Sequence, residues 1–313
     1  MTLFAFMGAV EAGLIFSLVG MAVYLSFRVL DFPDLTVDGS FPLGAAIAAV
    51  GIMHGIDPFA ATALAMVAGF LAGLVTAVLH VRLNVLHLLA SILVMLALYS
   101  VNLRIMGRPN LPLLAADTVF TPLQALPIPG YLALPLALAV VVLAAKLVLD
   151  WFLATEIGLA LRAAGANSRM AAAHGIERGG MVALGLGLSN AYVALAGALF
   201  AQAQGFADVG MGVGVIIIGL AAVILGETLL PTRTVILATA AAVVGSLIYR
   251  IAIAFALNLD AIGLRAQDLN LVTAVLVVIA IAAAKLTQPG WMAAGRAVRV
   301  RQLPVARGAR EDA

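Results

Sequence analysis

The segment EIGLALRAAGANSRMAAAHGIER, residues 156–178, is a polar, arginine-bearing interruption in a chain that is otherwise almost continuously apolar. Of the 313 residues, 64% are hydrophobic and 10% are charged, which is far outside the composition of a soluble domain. One globular core cannot hide so much apolar surface, so we expect lipid to solvate most of the chain. We therefore expect the polar segment to be where this protein contacts a partner in the aqueous phase. It indicates a membrane protein that is driven from outside the bilayer.

Apolar runs near or above the length of about 20 residues that crosses about 30 Å of hydrocarbon recur along the whole chain. Such runs predict helical spans rather than barrel strands. The predicted spans lie at about residues 4–29, 42–55, 58–80, 83–101, 131–150, 181–202, 212–230, 233–256 and 269–287. The expected fold is therefore an all-α, polytopic transmembrane bundle with broken or re-entrant helices near its centre. We expect residues 1–289 to form a single transmembrane domain and residues 290–313 a basic cytoplasmic tail.

Basic residues orient the predicted bundle. Nine crossings place the two termini on opposite sides, and cytoplasmic loops of membrane proteins carry an excess of Lys and Arg. With the C-terminus in the cytoplasm, most basic residues lie inside, including the five tail arginines from Arg296 to Arg310. The basic residues left outside are Arg104, Arg108, Arg250 and Arg265. The outer side then has one long connection, residues 102–130, whose prolines and low charge favour an ordered loop where a partner lands.

Two polar breaks interrupt the apolar pattern, FPDLTVDGS at 32–40 and a second at 80–91. Backbone that is not helical at membrane depth is tolerated only against protein or a water-filled cavity, and many transporters build their path from such breaks. The alternative is an ordinary inner-face turn in which Asp34 or Asp38 caps the next helix, while His87 is an interior, hydrogen-bonded histidine. The candidate path residues are Asp34, Thr36, Asp38, Ser40, Asn84, His87, Ser91 and Asn190.

Further polar residues lie in the sixth predicted span. Ser189 and Asn190 lie deep in it, where they line the path or hold helices together by hydrogen bonds. Gln202, Gln204 and Asp208 close the span, either at an outer mouth or at the water interface. The aromatic residues are scattered along the sequence and indicate no stacking platform.

The motifs of nucleotide-binding and catalytic proteins are absent from the sequence. No G-x-x-x-x-G-K-[ST] occurs, and the only lysines are Lys146 and Lys285, so the chain does not cradle a nucleotide in a P-loop. Metal-ligand spacing and a Ser-His-Asp arrangement are also absent, so we expect a transport subunit that is not an enzyme. The main alternative is an ion-coupled secondary transporter, for which the candidate carboxylates are Asp31, Asp34, Asp38 and Glu227. A membrane scaffold without transport is a third class.

Residues 156–178 are predicted to form two short helices with a sharp corner between them. Asn167 and Ser168 break one helical stretch and cap the next. Gly175 ends the second stretch in the left-handed conformation that helices commonly use at their C-terminal edge. An ordinary cytoplasmic loop that follows the positive-inside rule is the alternative.

The pattern of Thr155, Gly158, Arg162-Ala163, Asn167, Met170-Ala171 and Gly175-Ile176 resembles the coupling loop of permeases of the branched-chain amino acid and ribose family of ABC transporters. LSNAYVALAGALFAQAQG at 188–205 and MGVGVIIIGLAAVILGE at 211–227 are also similar to that family, although Glu227 replaces the second Gly of its Gly-Gly turn. FPDLTVDGSFPLGA at 32–45 is similar to its ribose-type members. The resemblance covers about residues 9–287. FPDLTVDGS, HVRLNVLHLLASILVM and Gly226-Glu227 together most resemble an uncharacterised subgroup linked to tryptophan or tyrosine uptake.

This resemblance implies the permease subunit of an ATP-driven importer in the bacterial inner membrane, surrounded by lipid and paired with a second copy of itself. Two ATP-binding subunits would dock on the corner and hold the ATP and Mg²⁺, so we expect no cofactor on this chain. The residues implied in docking are Glu156, Gly158, Arg162, Asn167, Arg169, His174 and Gly175. A periplasmic or lipid-anchored binding protein would deliver a small polar solute, expected to be an amino acid, with an aromatic one, a sugar or a nucleoside also open. Nothing implies a nucleic acid or a metal.

Overall fold

The structure is a computed structural model that describes residues 3–113, 116–122, 129–230 and 232–257, together with residues 274, 275, 278 and 282. The helices are α1 Leu3–Val23, which continues as a π-helical segment Tyr24–Val29, α2 Thr36–Met53, α3 Pro58–Val81, α4 His87–Met106, α5 Gly130–Ala154, α6 Glu156–Ala166, α7 Ser168–Ala173, α8 Arg178–Gln204, α9 Val215–Leu229 and α10 Val235–Leu257. Two short strands, β1 Asn110–Pro112 and β2 Phe206–Asp208, pair antiparallel, and a 3-10 helix, Val209–Gly212, follows β2.

Among the described residues, eight helical segments are long and apolar enough to cross a membrane. They correspond to the first eight predicted spans, which confirms the all-α, polytopic helical fold. The ninth predicted span at 269–287 and the basic tail at 290–313 lie outside the continuous described ranges.

The starts of α2 and α4 differ most from the positions that the sequence predicts. Helix α2 starts at Thr36 and not at 42, because Asp34 accepts a hydrogen bond of 2.9 Å from the Thr36 N–H and the helix contains Pro42 in its interior. Helix α4 starts at His87 and not at 83, because Asn84 has a φ of 53° and so cannot continue a right-handed helix.

Helix α8 organises one half of the bundle. It is 27 residues long, about 40 Å, and is buried along most of its length against α2 and α3. Small residues allow this close approach, as they commonly do between transmembrane helices. At Gly73 in α3, for example, an added Cβ would clash with the Leu186 carbonyl of α8. Helices α1, α9 and α10 pack together as the other half.

The outward faces of α3, α4 and α5 are apolar and exposed. Leu71, Leu96 and Val140 are more than half exposed, at 54%, 58% and 67%. Apolar side chains in such a row are suited to lipid contact, so this multi-pass bundle uses lipid as the solvent for these faces.

The strands lie at the end of the bundle opposite α6 and α7, since β2 follows the far end of α8. Within the expected outer loop 102–130, α4 continues to Met106 and β1 then pairs with β2. The Val119 N–H of this connection donates a 3.0 Å hydrogen bond to Gln202 at the end of α8. From β2 the chain turns back into the bundle, where Gly212 packs against the Asp38 carbonyl and α9 begins. Helices α2 and α9 therefore both start inside the bundle.

Candidate functional site

The first break, at 32–40, is closed by a buried polar network that joins α2, α3 and α8. Asn190 Nδ2 donates to Asp34 Oδ2 at 2.7 Å, and Ser40 Oγ donates to Asn190 Oδ1 at 2.7 Å. Thr36 lies 2.7 Å from Thr76, hydroxyl to hydroxyl, and both hydroxyls are buried. Both carboxylate oxygens of Asp34 have a donor. Four candidate path residues, Asp34, Thr36, Ser40 and Asn190, therefore meet, and their hydrogen bonds hold three helices together.

Asp38 points away from this network to the start of α9. Its carboxylate accepts hydrogen bonds from the Gly214 N–H at 3.1 Å and from the Ile216 N–H at 2.8 Å. Free N–H groups and the positive end of the helix dipole favour a carboxylate at this position. Asp38 is thus a helix cap supplied by a distant part of the chain, and it fixes the re-entrant start of α9 against α2.

Contacts between aromatic and imidazole rings place the second break, at 80–91, beside the first. The Phe32 ring centroid is 5.2 Å from that of His80 and 5.5 Å from that of His87, and the two imidazoles are 5.5 Å apart. His80 Nδ1 is 2.8 Å from the Val85 carbonyl oxygen, which ties the end of α3 to the turn before α4. The second break therefore contacts Phe32 of the first through these rings, while its residues 81–84 and 86–89, Asn84 and His87 among them, are exposed.

Asn84, His87 and Ser91 do not join the Asp34 network. Ser91 Oγ donates back to its own helix, 3.0 Å from the His87 carbonyl. A cavity of about 500 Å³ opens at this turn, and its lining includes His80, Asn84, His87 and Arg178. Since Arg178 begins α8, this cavity lies at the end of the bundle that carries α6 and α7.

A second cavity, of about 430 Å³, lies at the start of α9 and contains Arg250. The guanidinium of Arg250 stands 3.7 Å above the centroid of the Phe16 ring. Phe16, Phe41 and Phe200 form a cluster with centroids 5.6 to 5.8 Å apart. The lining also includes Met211, the first residues of α9 and Ala274.

Two sequence predictions fail at this cavity. Arg250 lies within α10, inside the bundle, and not on the outer surface; the aromatic residues, which we expected to form no platform, meet here. The rings come from α1, α2 and α8, so no local pattern brings them together. One feature of the sequence does single out Arg250 as a candidate functional residue, because it is the only charged residue in α10.

The segment 156–178 forms two short helices with a corner at Asn167, as the sequence predicts. Thr155 Oγ1 accepts a 3.2 Å hydrogen bond from the Gly158 N–H and caps α6, while Asn167 Oδ1 accepts one of 3.1 Å from the Met170 N–H and caps α7. Gly175 has a φ of 80° and ends the corner in the left-handed region. The turns at both ends of the segment and at its corner are therefore fixed by local residues, two by side-chain caps and one by a left-handed glycine.

Most of the predicted docking residues are exposed on this corner. The exposed ones are Glu156, Arg162, Asn167, Arg169, His174 and Gly175. Three large apolar side chains accompany them, Ile157, Leu159 and Met170, each more than half exposed. Gly158 is buried, because α6 packs there against the end of α5. Gly165 in the same helix packs directly on the Val29 carbonyl at the end of the π-helical segment.

Glu227 forms an ion pair with Arg28 at the same end of the bundle. Arg233 lies closer to Glu227 in the sequence, but the ion pair that the structure shows is with Arg28. The π-helical segment instead brings Arg28 to the end of α9, which joins α1 to α9 beside the corner.

The comparisons with known proteins agree with this architecture. The sequence model of a family described as "Branched-chain amino acid transport system / permease component" matches residues 5–283. The chain is 43% identical to a "Tyrosine transport system permease protein" of Clostridioides difficile (strain R20291) over 274 residues, 87% of this chain and 89% of the relative. It is 37% identical to an uncharacterised protein of Rickettsia prowazekii (strain Madrid E) over 219 residues, 70% of this chain and 75% of the relative. No solved structure matches the chain.

The match covers most of the chain, including both breaks, the corner and α8 to α10. It confirms the resemblance that the corner and the flanking helices indicate. The chain is a component of a transport system and not an enzyme. This multi-pass membrane protein belongs to the permease family of the branched-chain amino acid transport systems.

Proposed function

We propose that the chain is the permease subunit of an ATP-driven importer of an amino acid, of the aromatic class. The exposed corner of α6 and α7 is the observation that carries the ATP-driven part of the proposal. The 43% identity to a relative named as a tyrosine transport permease supports the substrate class.

The corner has the chemistry of a protein docking surface. Exposed Ile157, Leu159 and Met170 offer apolar contact area. Arg162 and Arg169 next to them can donate charge-assisted hydrogen bonds to carboxylate or carbonyl groups of a partner. A transporter that needs no ATPase has no use for such a surface, whereas an importer driven by a separate ATPase requires one. ATP and Mg²⁺ belong to that ATPase in this proposal.

The contacts behind the corner give a route by which the ATPase would move the bundle. Gly165 packs on Val29, so a displacement of α6 pushes directly on the end of α1. Arg28, the neighbour of Val29, is paired with Glu227 and carries the displacement to α9. Closure of the ATPases would thereby tilt α1 and α9 and open the inward-facing side, a rigid-body change of the kind seen in domain closure.

We propose two copies of the chain around a central path, with two ATP-binding subunits on the corners. A periplasmic or lipid-anchored binding protein would land on the opposite end, formed by the β1–β2 ribbon and the rest of the 102–130 connection. The corner would face the cytoplasm, with the chain in a bacterial inner membrane.

The first test is to purify the tagged chain in a mild detergent and identify the co-purifying proteins and their ratios by mass spectrometry. We expect an ATPase with a P-loop in about equal amount. A variant with Arg162→Glu and Arg169→Glu should lose it, because both substitutions repel acidic partners. The matched control carries Arg104→Glu and Arg108→Glu, also exposed but at the other end of the bundle, and should retain the ATPase.

Two outcomes count against the proposal. An ATPase that the corner variant retains would place docking elsewhere on the chain. Absence of any ATPase from the unmodified chain would favour an ion-coupled transporter, whose carboxylates would be sought among Asp31, Asp34, Asp38 and Glu227. Three of these, Asp34, Asp38 and Glu227, already have hydrogen-bond or ion-pair partners in the structure.

A further inference from the structure

Arg250 is a charged side chain in the interior of an apolar helix. Ionisable residues within membrane spans are expensive and generally mark a substrate path, a relay or a counter-ion. Two other basic side chains in the described part of the chain form ion pairs, the exposed Arg28 with Glu227 and Lys146 with Asp150. Among the described residues Arg250 makes no ion pair, and its buried Nε has no hydrogen-bond partner. Within the described part of the chain, its guanidinium contacts the Phe16 ring and lines the cavity.

The surroundings of Arg250 define what shape of anion would fit. The cavity of about 430 Å³ lies within the range of about 300–1,000 Å³ that is typical of small-molecule sites. Its walls are mainly apolar, and Phe16 and Phe200 present aromatic rings to it. Aromatic pairs are favourable in edge-to-face and offset geometries, so a planar ligand ring would pack well against the Phe200 side of this cluster. One cation in an aromatic cavity is complementary to a carboxylate that carries an aromatic group.

The start of α9, which also lines this cavity, adds little positive charge of its own. Asp38 already accepts hydrogen bonds from the Gly214 and Ile216 N–H groups. The carboxylate of Asp38 neutralises the end of the helix dipole, so Arg250 is the principal electrostatic attraction for an anion here.

We propose that this cavity is a binding site for an aromatic amino acid on the permease itself. The substrate carboxylate accepts two parallel hydrogen bonds from the Arg250 guanidinium, the geometry that guanidinium and carboxylate favour. The aromatic side chain packs against the Phe200 ring and the apolar side chains of α9 that line the cavity. This inference rests on the proposed function and deepens it. It gives the permease its own selectivity for substrates that carry both a carboxylate and an aromatic ring.

The unmodified protein provides the first test. Binding of tritiated L-tyrosine is measured on the purified chain with whatever subunits co-purify, without the binding protein and up to millimolar concentration. We expect saturable binding that L-phenylalanine displaces. Tyramine, which lacks the carboxylate, and L-alanine, which lacks the ring, should displace it poorly. Equal displacement by tyramine, or no saturable binding of tyrosine, would overturn the proposal.

Substitution of Arg250 provides the second test. Arg250→Gln should weaken tyrosine binding about tenfold or more, the loss expected when a hydrogen bond to a charged group is removed, while Arg250→Lys keeps the charge and should retain part of the affinity. Arg104→Gln, an exposed arginine outside the cavity, should bind tyrosine normally. Wild-type affinity in a correctly folded Arg250→Gln variant would overturn the proposal.

Folding and assembly are followed separately. Size-exclusion elution and the amount of co-purified ATPase should be unchanged in Arg250→Gln. If that variant fails to fold, Phe200→Leu replaces it, because this change removes a ring from the cavity and keeps an apolar side chain. Phe200→Leu should weaken the binding of tyrosine. Unchanged tyrosine binding in this variant would contradict a binding site in the cavity. Failure of the importer proposal appears instead as a missing ATPase in the unmodified chain, so the two failures are distinguishable.

Discussion

Asn190 is the residue on which the buried network of the first break depends. Its amide donates to Asp34 and accepts from Ser40, so one side chain links α8 to both ends of the break. No other residue type has a donor and an acceptor in this planar arrangement except Gln, which is longer by one methylene.

Replacement of Asn190 by alanine should destabilise the bundle by about 1–3 kcal/mol, because Asp34 and Ser40 would each lose a buried partner. The apparent Tm of the purified protein in detergent measures the effect. Ser91→Ala is the matched control, since buried Ser91 bonds only to carbonyls of its own helix and should change the Tm little. Equal Tm values for the two variants would show that the network does not stabilise the bundle.

The sequence predicts where the first break lies, but not what closes it. Pro33 and the aspartates mark a stop in an apolar run, and this is a local signal. The partners of the break are distant in the chain, with Thr76 lying 40 residues after Thr36 and Asn190 lying 150 residues after Ser40. Apolar helices of similar composition do not indicate which faces meet, so these contacts, like those around Arg250, needed the structure.

At the scale of elements, the corner of α6 and α7 was predictable because its determinants are local. Thr155 and Asn167 each cap a helix by accepting a hydrogen bond from the N–H three residues ahead. Gly175 supplies the left-handed residue at the end of the second helix. The contact of α6 with the π-helical segment, between Gly165 and Val29, was not predictable, because these two residues lie in different elements far apart in the chain.

Gly175→Val should reduce ATP-driven uptake and leave ATP hydrolysis and the fold largely intact. The φ of 80° at this glycine costs a β-branched residue about 1–2 kcal/mol, so the end of the corner would adopt another conformation. The two measurements are amino acid uptake and ATPase activity of the assembled transporter in proteoliposomes.

Gly55→Val is the matched control for this change. Gly55 has a φ of 81°, and, as at Gly175, an added Cβ would meet nothing within 4 Å. It lies in the turn between α2 and α3, at the opposite end of the bundle. If both substitutions lower uptake equally, backbone strain in general and not the corner is responsible.

At the scale of the whole molecule, the eight described spans place the corner and the β1–β2 ribbon at opposite ends. An odd number of crossings separates Arg108, between α4 and α5, from Arg169 in α7. The length and hydropathy of the apolar runs were sufficient for this level of the fold, because each span is long and apolar enough to be recognised alone.

The orientation in the membrane can be tested directly because the chain contains no cysteine. A membrane-impermeant maleimide added to intact spheroplasts should label an Arg108→Cys variant. It should label an Arg169→Cys variant only after the membrane is permeabilised, since we expect the corner in the cytoplasm. The reverse pattern would invert the orientation, and labelling of both without permeabilisation would contradict the crossing between them.

The cap that Asp38 places on α9 has a consequence for how this sequence can evolve. The carboxylate serves N–H groups 176 and 178 residues further along the chain, so neither site can drift independently of the other. A lineage that loses the aspartate must acquire another acceptor near the beginning of α9, or begin that helix elsewhere. We therefore expect positions 38 and 214–216 to be inherited as one unit, with substitutions at one accompanied by compensating substitutions at the other.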